Sequence, residues 1–270
     1  MNLEMMKMMI KEAMDKELAS LSSFSPDIIK VTSWECPDGT GVPLITMPNI
    51  PQPLHGKGMQ PRTIFGKSAW DFMRRKAYLN ADYKCEICGR EPKKGDLHAH
   101  ELFSYDYDKT TGEFKRVVAI CRTCHDAIHS GRLITMFRRK NPLYPKSYVL
   151  KVVENCFKLV HDYNLKHDEP LRVYSTYVDF LDEPELRQEM IELIKKYDIK
   201  FYEEKVAKSK RWKGWRVKVG HNYYDSPYTC QADWEKAMEE RDAQDNVRHI
   251  NNPFNGEVFD EFNKILEENS

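Results

Sequence analysis

Residues 83–132 read YKCEICGREPKKGDLHAHELFSYDYDKTTGEFKRVVAICRTCHDAIHSGR. This stretch holds four of the seven cysteines, as Cys85-x-x-Cys88 and Cys121-x-x-Cys124 with 32 residues between the pairs, and the histidines His98, His100, His125 and His129. Two such pairs can close a tetrahedral zinc site. Each pair presents two thiolates from one tight turn, and zinc is satisfied by four sulfurs at about 2.3 Å. Gly89 suits the turn after the first pair. A site of this kind is structural, because no coordination position stays open. The histidines then need a second explanation. His125 and His129 are four apart and share a face if DAIHSG begins a helix. His100 lies in LHAHELFSY, whose partial alternation reads as a strand. One strand histidine and two helix histidines make a three-nitrogen site with positions open for water and phosphate, the layout of a catalytic metal.

The surrounding composition is that of a globular chain: 270 residues, 41% apolar and 31% charged. Lysine plus arginine and aspartate plus glutamate both number 42, so the formal charge is zero and any nucleic-acid contact must come from local basic patches. No apolar run of about 18 residues suggests a membrane span. Lys7, Lys11, Glu12 and Asp15 break the Met-rich start too early for a signal peptide. Reduced, metal-bound thiols fit this pattern better than a disulfide framework, and the expected location is cytoplasmic. Cys36, Cys156 and Cys230 read as small apolar residues.

Periodicity divides the rest. Leu3, Met6, Ile10, Ala13, Leu18 and Leu21 space as one face of an N-terminal helix. Residues 34–63 are rich in proline and glycine, too irregular for regular structure, and read as an arm wrapped on the core. SAWDFMRRKAY (68–78) reads as a helix whose Arg74, Arg75 and Lys76 could meet phosphates. Val149, Val152, Val153, Cys156, Phe157 and Val160 mark another helix over 147–164. Residues 171–181 are ambiguous between strand and helix, and Asp182-x-x-Glu185 with Pro184 reads as a helix start. The stretch 205–220 carries Lys210, Arg211, Lys213, Arg216 and Lys218 and no acid, and Trp215, Val217 and Val219 alternate as in a half-buried strand. The expected units are residues 1–64 (helix and arm), 65–138 (metal core), 139–204 (helical unit), 205–250 (a separate basic hairpin-plus-helix module) and 251–270 (acidic tail).

The paired CxxC motifs, the strand dipeptide His100-Glu101 and the run Cys124-His125-x-x-x-His129 resemble the HNH endonuclease family over about 50 residues, Cys85 to Gly131. The arm and preceding helix bear a weaker likeness to phage-encoded members. The resemblance implies a ββα-metal, treble-clef-like zinc core; with the periodicity of the rest, the expected fold is α+β, that core with surrounding helices and a small C-terminal αβ module, for which no family likeness is seen. The resemblance implies structural Zn2+ on Cys85, Cys88, Cys121 and Cys124. It also implies one catalytic cation on His100, His125 and His129, Mg2+ or Mn2+, with Zn2+ or Ni2+ as alternatives given three imidazoles.

Two places depart from the family pattern. Where the family has a general-base histidine, this chain has Glu101, a weaker base unless burial raises its pKa from about 4.3. His98 is the rival, because on a regular strand it shares the face of His100 while Glu101 points away. Glu101 as a metal ligand is a third option. The family's asparagine, which pins the loop, falls near Arg116, and no Asn occurs between Ala81 and Lys140. Arg116 could contact phosphate instead. The expected activity is metal-dependent hydrolysis of DNA phosphodiesters, with RNA the alternative substrate and both nicking and double-strand cutting open. The competing expectation is a catalytically decayed zinc protein that binds nucleic acid or serves in an assembly.

Overall fold

The computed structural model describes residues 24–54, 61–93, 95–204, 214–228 and 230–240. The helix expected over residues 1–21, the basic residues Lys210, Arg211 and Lys213, and the acidic tail lie outside them.

The class is α+β, with two sheets among the described residues. In chain order come β1 (Ile28–Val31), β2 (Ser33–Trp34), α1 (Pro61–Phe65), α2 (Lys67–Asn80), β3 (Leu97–Asp106), β4 (Thr111–Cys121), α3 (Arg122–Ile128), α4 (Ser130–Arg138) and α5 (Lys146–Asn164). They are followed by β5 (Val173–Tyr174), α6 (Arg187–Lys196), β6 (Phe201–Glu204), β7 (Arg216–Val219) and β8 (Asn222–Asp225). A further helix, α7, spans residues 231–240. The smaller sheet runs β1-β6-β5, all parallel, and the larger runs β2-β3-β4-β7-β8.

The β3–β4 hairpin carries a different layer on each face. Residues directly opposite on an antiparallel pair point the same way, so Ala99 with Ala119 and Glu101 with Val117 face one side, and His98 with Ile120 and His100 with Val118 face the other. Val117 packs with Trp70 and Ala77 of α2, joined by Ala99 and Phe114. Leu102, Val118 and Ile120 join the main core instead, with Ala127 and Ile128 of α3.

That main core is shared by segments the sequence places in different units. Val149, Val152, Val153, Cys156, Phe157 and Val160 are all buried, as their spacing predicts. They pack with Met190, Ile191 and Ile194 of α6, and with Leu44 and Ile45 of a 3-10 helix in the arm, Val42–Thr46. The arm is therefore anchored by its own apolar residues.

The basic hairpin β7–β8 has no separate sheet. β7 pairs parallel with β4 (Thr111 with Arg216, Gly112 with Val217), and Trp215 and Val217 are buried with Leu54, Phe103, Tyr105 and Tyr107. Gly112 makes this possible: a Cβ there would stand 3.0 Å from Leu54 Cδ1 and 3.1 Å from Tyr105 Cε1.

Residues 171–181 resolve into the two-residue β5 and a 3-10 helix, Ser175–Asp182. The helix start expected at Asp182 comes later. The N–H groups of Leu186 and Arg187 both bond Glu183 O, forming a turn first, and α6 proper begins at Arg187. Cys156 is buried as expected, but Cys230 is exposed and packs into no core. Among the described residues no helix is long and apolar enough to cross a membrane.

Candidate metal centres

The four cysteines converge from two turns. Gly89 takes φ +70°, which an L side chain resists, and its N–H reaches Cys85 O at 2.8 Å; Cys85 N–H in turn reaches Arg90 O at 2.9 Å. The second pair is placed by β4, which ends at Cys121, and by the first turn of α3, which carries Cys124. All four sulfurs lie within 4.8 Å of one another. A tetrahedron with zinc–sulfur bonds of about 2.3 Å has edges of about 3.8 Å, and Cys88 Sγ and Cys121 Sγ are 3.9 Å apart. The group could hold zinc. Arg90 sets a cation beside it, with Nε 3.4 Å from Cys88 Sγ and Nη2 3.2 Å from Asn155 Oδ1 on α5.

His100, His125 and His129 form a second group, each offering a nitrogen within 4.8 Å of the others. α3 ends at Ile128, so His129 sits at the junction with α4 rather than inside one helix. Helical hydrogen bonding crosses the junction all the same: His129 N–H bonds His125 O at 3.1 Å, and Leu133 N–H bonds His129 O at 2.9 Å. The i, i+4 relation therefore survives the bend. Ring centroids stand 4.9 Å apart for His100 and His129, and 4.6 Å for His125 and His129. Burial, reinforced by neighbouring imidazoles, holds His100 and His125 well below the ordinary histidine value, so both are neutral near pH 7 with a lone pair to offer. His125 Nδ1 is buried without a hydrogen-bond partner. A buried polar atom in that state costs about 1–3 kcal/mol, and a cation at this group would relieve it. The residues present fit a metal.

His100 and His129 line a small cleft together with Glu101, Asn49, Ile50 and Phe103. His98 is not among its lining residues. Its ring lies 5.0 Å from that of His125, and burial lowers its pKa as well. The bulge in the hairpin comes after Glu101, between Leu102 and Phe103, so His98 and His100 share a face and Glu101 points to the other. Glu101 nevertheless lines the cleft together with His100.

Arg116, where the resemblance expects an asparagine, is held in an ion pair. Glu86, with its side chain 7% exposed, accepts Ala119 N–H at 2.7 Å and Arg116 Nη1 at 2.7 Å. Arg116 Nη2 also donates to Gly39 O at 2.5 Å, and Gly41 N–H to Glu86 O at 2.7 Å. Arg116 thus ties the hairpin, the first cysteine turn and the arm together.

The other expected phosphate contacts are dispersed. Arg74 pairs with Asp71 at 3.4 Å and lies over the Tyr78 ring, and Lys218 pairs with Glu113 at 3.0 Å. Arg75 and Lys76 are exposed on α2, and Arg216 is exposed over the Tyr223 ring. Two features beside the histidines have no signal in sequence spacing. Asn49 enters the cleft from the arm, its amide 3.5 Å from Thr176 Oγ1. Asp126, buried next to His125, accepts the Tyr148 hydroxyl at 2.6 Å. No family model, curated protein or solved structure matches the chain.

Proposed function

We propose that this chain is a metal-dependent endonuclease of the HNH type, with Zn2+ on the four cysteines and a catalytic divalent cation on His100, His125 and His129. The observation that carries the reading is the second group: three imidazoles converging within 4.8 Å, two of them lining a cleft and one with a buried, partnerless nitrogen. The β3–β4 hairpin followed directly by α3 supports a ββα-metal core, and the Glu86–Arg116 pair supplies the loop anchorage that the absent asparagine would give.

A divalent cation bound there supplies charge to a phosphodiester oxygen and acidity to water. The protein's own residues do the rest. His100 fixes one nitrogen from the strand, and α3 with its junction fixes the other two. Glu101, at the cleft, takes the proton from the attacking water. His98 stands outside the cleft against His125 and orients that ring. Ile50 and Phe103 form an apolar wall that limits water on one side.

The test is nicking of supercoiled plasmid with a panel of divalent cations. Wild type converts plasmid to open circle, and His100→Ala or His125→Ala loses this while keeping its zinc and its circular dichroism. If either variant cuts as well as wild type, the site is wrongly assigned.

A further inference from the structure

We propose that Arg122 and Arg132 form an anchor for the nucleic-acid backbone, gripping a phosphodiester next to the one held at the histidine site. The inference rests on the nuclease reading for the identity of its ligand. Its basis is a separate constellation. Arg122, His125, His129 and Arg132 follow one another at intervals of three, four and three residues, so the two arginines bracket the two histidines along successive turns of α3 and α4.

Between the arginines lies Asp126, 3% exposed. Arg132 Nη1 is 3.4 Å from its Oδ1, and Arg122 Nε is 3.8 Å from its Oδ2. Two guanidiniums therefore meet at one carboxylate, and the local sum is one positive charge. Aromatic rings set both planes: Arg122 lies over Tyr148 at 5.4 Å and Arg132 over Tyr144 at 5.7 Å. The Tyr148 hydroxyl fixes the carboxylate in turn. Both guanidinium side chains stay open to solvent, 39% and 51% exposed. Each carries five N–H donors in a rigid fork, far more than Asp126 can accept.

A buried acid holding two stacked, half-exposed guanidiniums is a pre-organised anion receptor, since ring stacking has already removed side-chain freedom that binding would otherwise cost. A phosphodiester presents two unesterified oxygens to such a fork and repeats along a strand. One phosphate can then sit on the arginines while its neighbour meets the histidines. Arg122 stands three residues before His125 and Arg132 three after His129 on the same pair of helices, which places the arginines beside the histidine group.

The experiment is fluorescence anisotropy of a labelled duplex oligonucleotide, titrated with the zinc-loaded protein in Ca2+ over a series of salt concentrations. Each phosphate contact contributes about 0.9 to the slope of log affinity against log salt. In Arg122→Gln/Arg132→Gln the slope should fall by about two contacts' worth, with affinity down about tenfold or more at moderate salt. Zinc content and second-cation binding should match wild type. Should the double variant fold poorly, Arg132→Gln alone, at the more exposed position, should lose about one contact. Equal slope and affinity in variant and wild type overturn the proposal, and so does a wild type that does not bind the duplex. The nuclease reading fails separately: a wild type that binds DNA through these arginines but never cuts, with any cation, sinks that reading and leaves the anchor standing.

Discussion

At the residue scale the account turns on which group accepts the proton. Glu101 lines the cleft and His98 does not, although the strand puts His98 on the face of His100. Loss of a general base costs about 100- to 10,000-fold in rate, so Glu101→Gln should nick plasmid that much more slowly while still binding the second cation. His98→Gln should lose less than Glu101→Gln; the reverse order would move the base to His98. The buried imidazoles also set a pH dependence. His100 and His125 have pKa values below the ordinary value of about 6.5 that they regain on unfolding. Without the second cation, the folded state refuses protons that the unfolded chain accepts. Stability is therefore full above about pH 6.5 and falls as pH drops below it. Thermal midpoints measured from about pH 7.5 to 5.5 should decline more steeply in the wild type than in His125→Gln, which retains the shared acid sensitivity of the thiolates. That the three histidines come together was legible in sequence, because metal chemistry dictates residue type and spacing together. The sequence could not show that Glu101 lines the cleft, because the opposite wall comes from arm residues such as Asn49 and Ile50, far away in sequence.

At the scale of elements, α2 and α5 were legible to within a residue or two, since their apolar positions repeat at helical spacing and end up buried. The partner of β7 was not. Its alternation gives a half-buried strand, but nothing local says that the other neighbour is β4, about 100 residues earlier and parallel. The same holds for Glu86 and Arg116. Each looks like a surface charge in sequence, and together they tie the hairpin to the first cysteine turn. Glu86→Ala would leave Ala119 N–H and Arg116 without their acceptor, at a cost of about 1–3 kcal/mol. Urea unfolding should register that loss. A variant as stable as wild type would mean that the arm is held by its apolar contacts alone.

At the scale of the whole molecule, the divisions expected from composition do not correspond to separate cores. Phe157 of α5 is fully buried among residues from the arm, the hairpin and α6. Phe157→Ala should therefore cost about 3–5 kcal/mol and loosen the metal core along with the helices, read as faster zinc transfer to a chelator than in wild type. Release at the wild-type rate would show that the two regions are energetically independent. The molecule as a whole gathers two groups of possible metal ligands, one of four sulfurs and one of three imidazoles, and the proposed function fills both. Elemental analysis of protein supplied with zinc and Mn2+ and then desalted addresses this most directly. The account predicts one zinc and one further cation per chain, with only the zinc remaining in His125→Ala. One zinc and no second cation in the wild type, even with Mn2+ supplied, would contradict it.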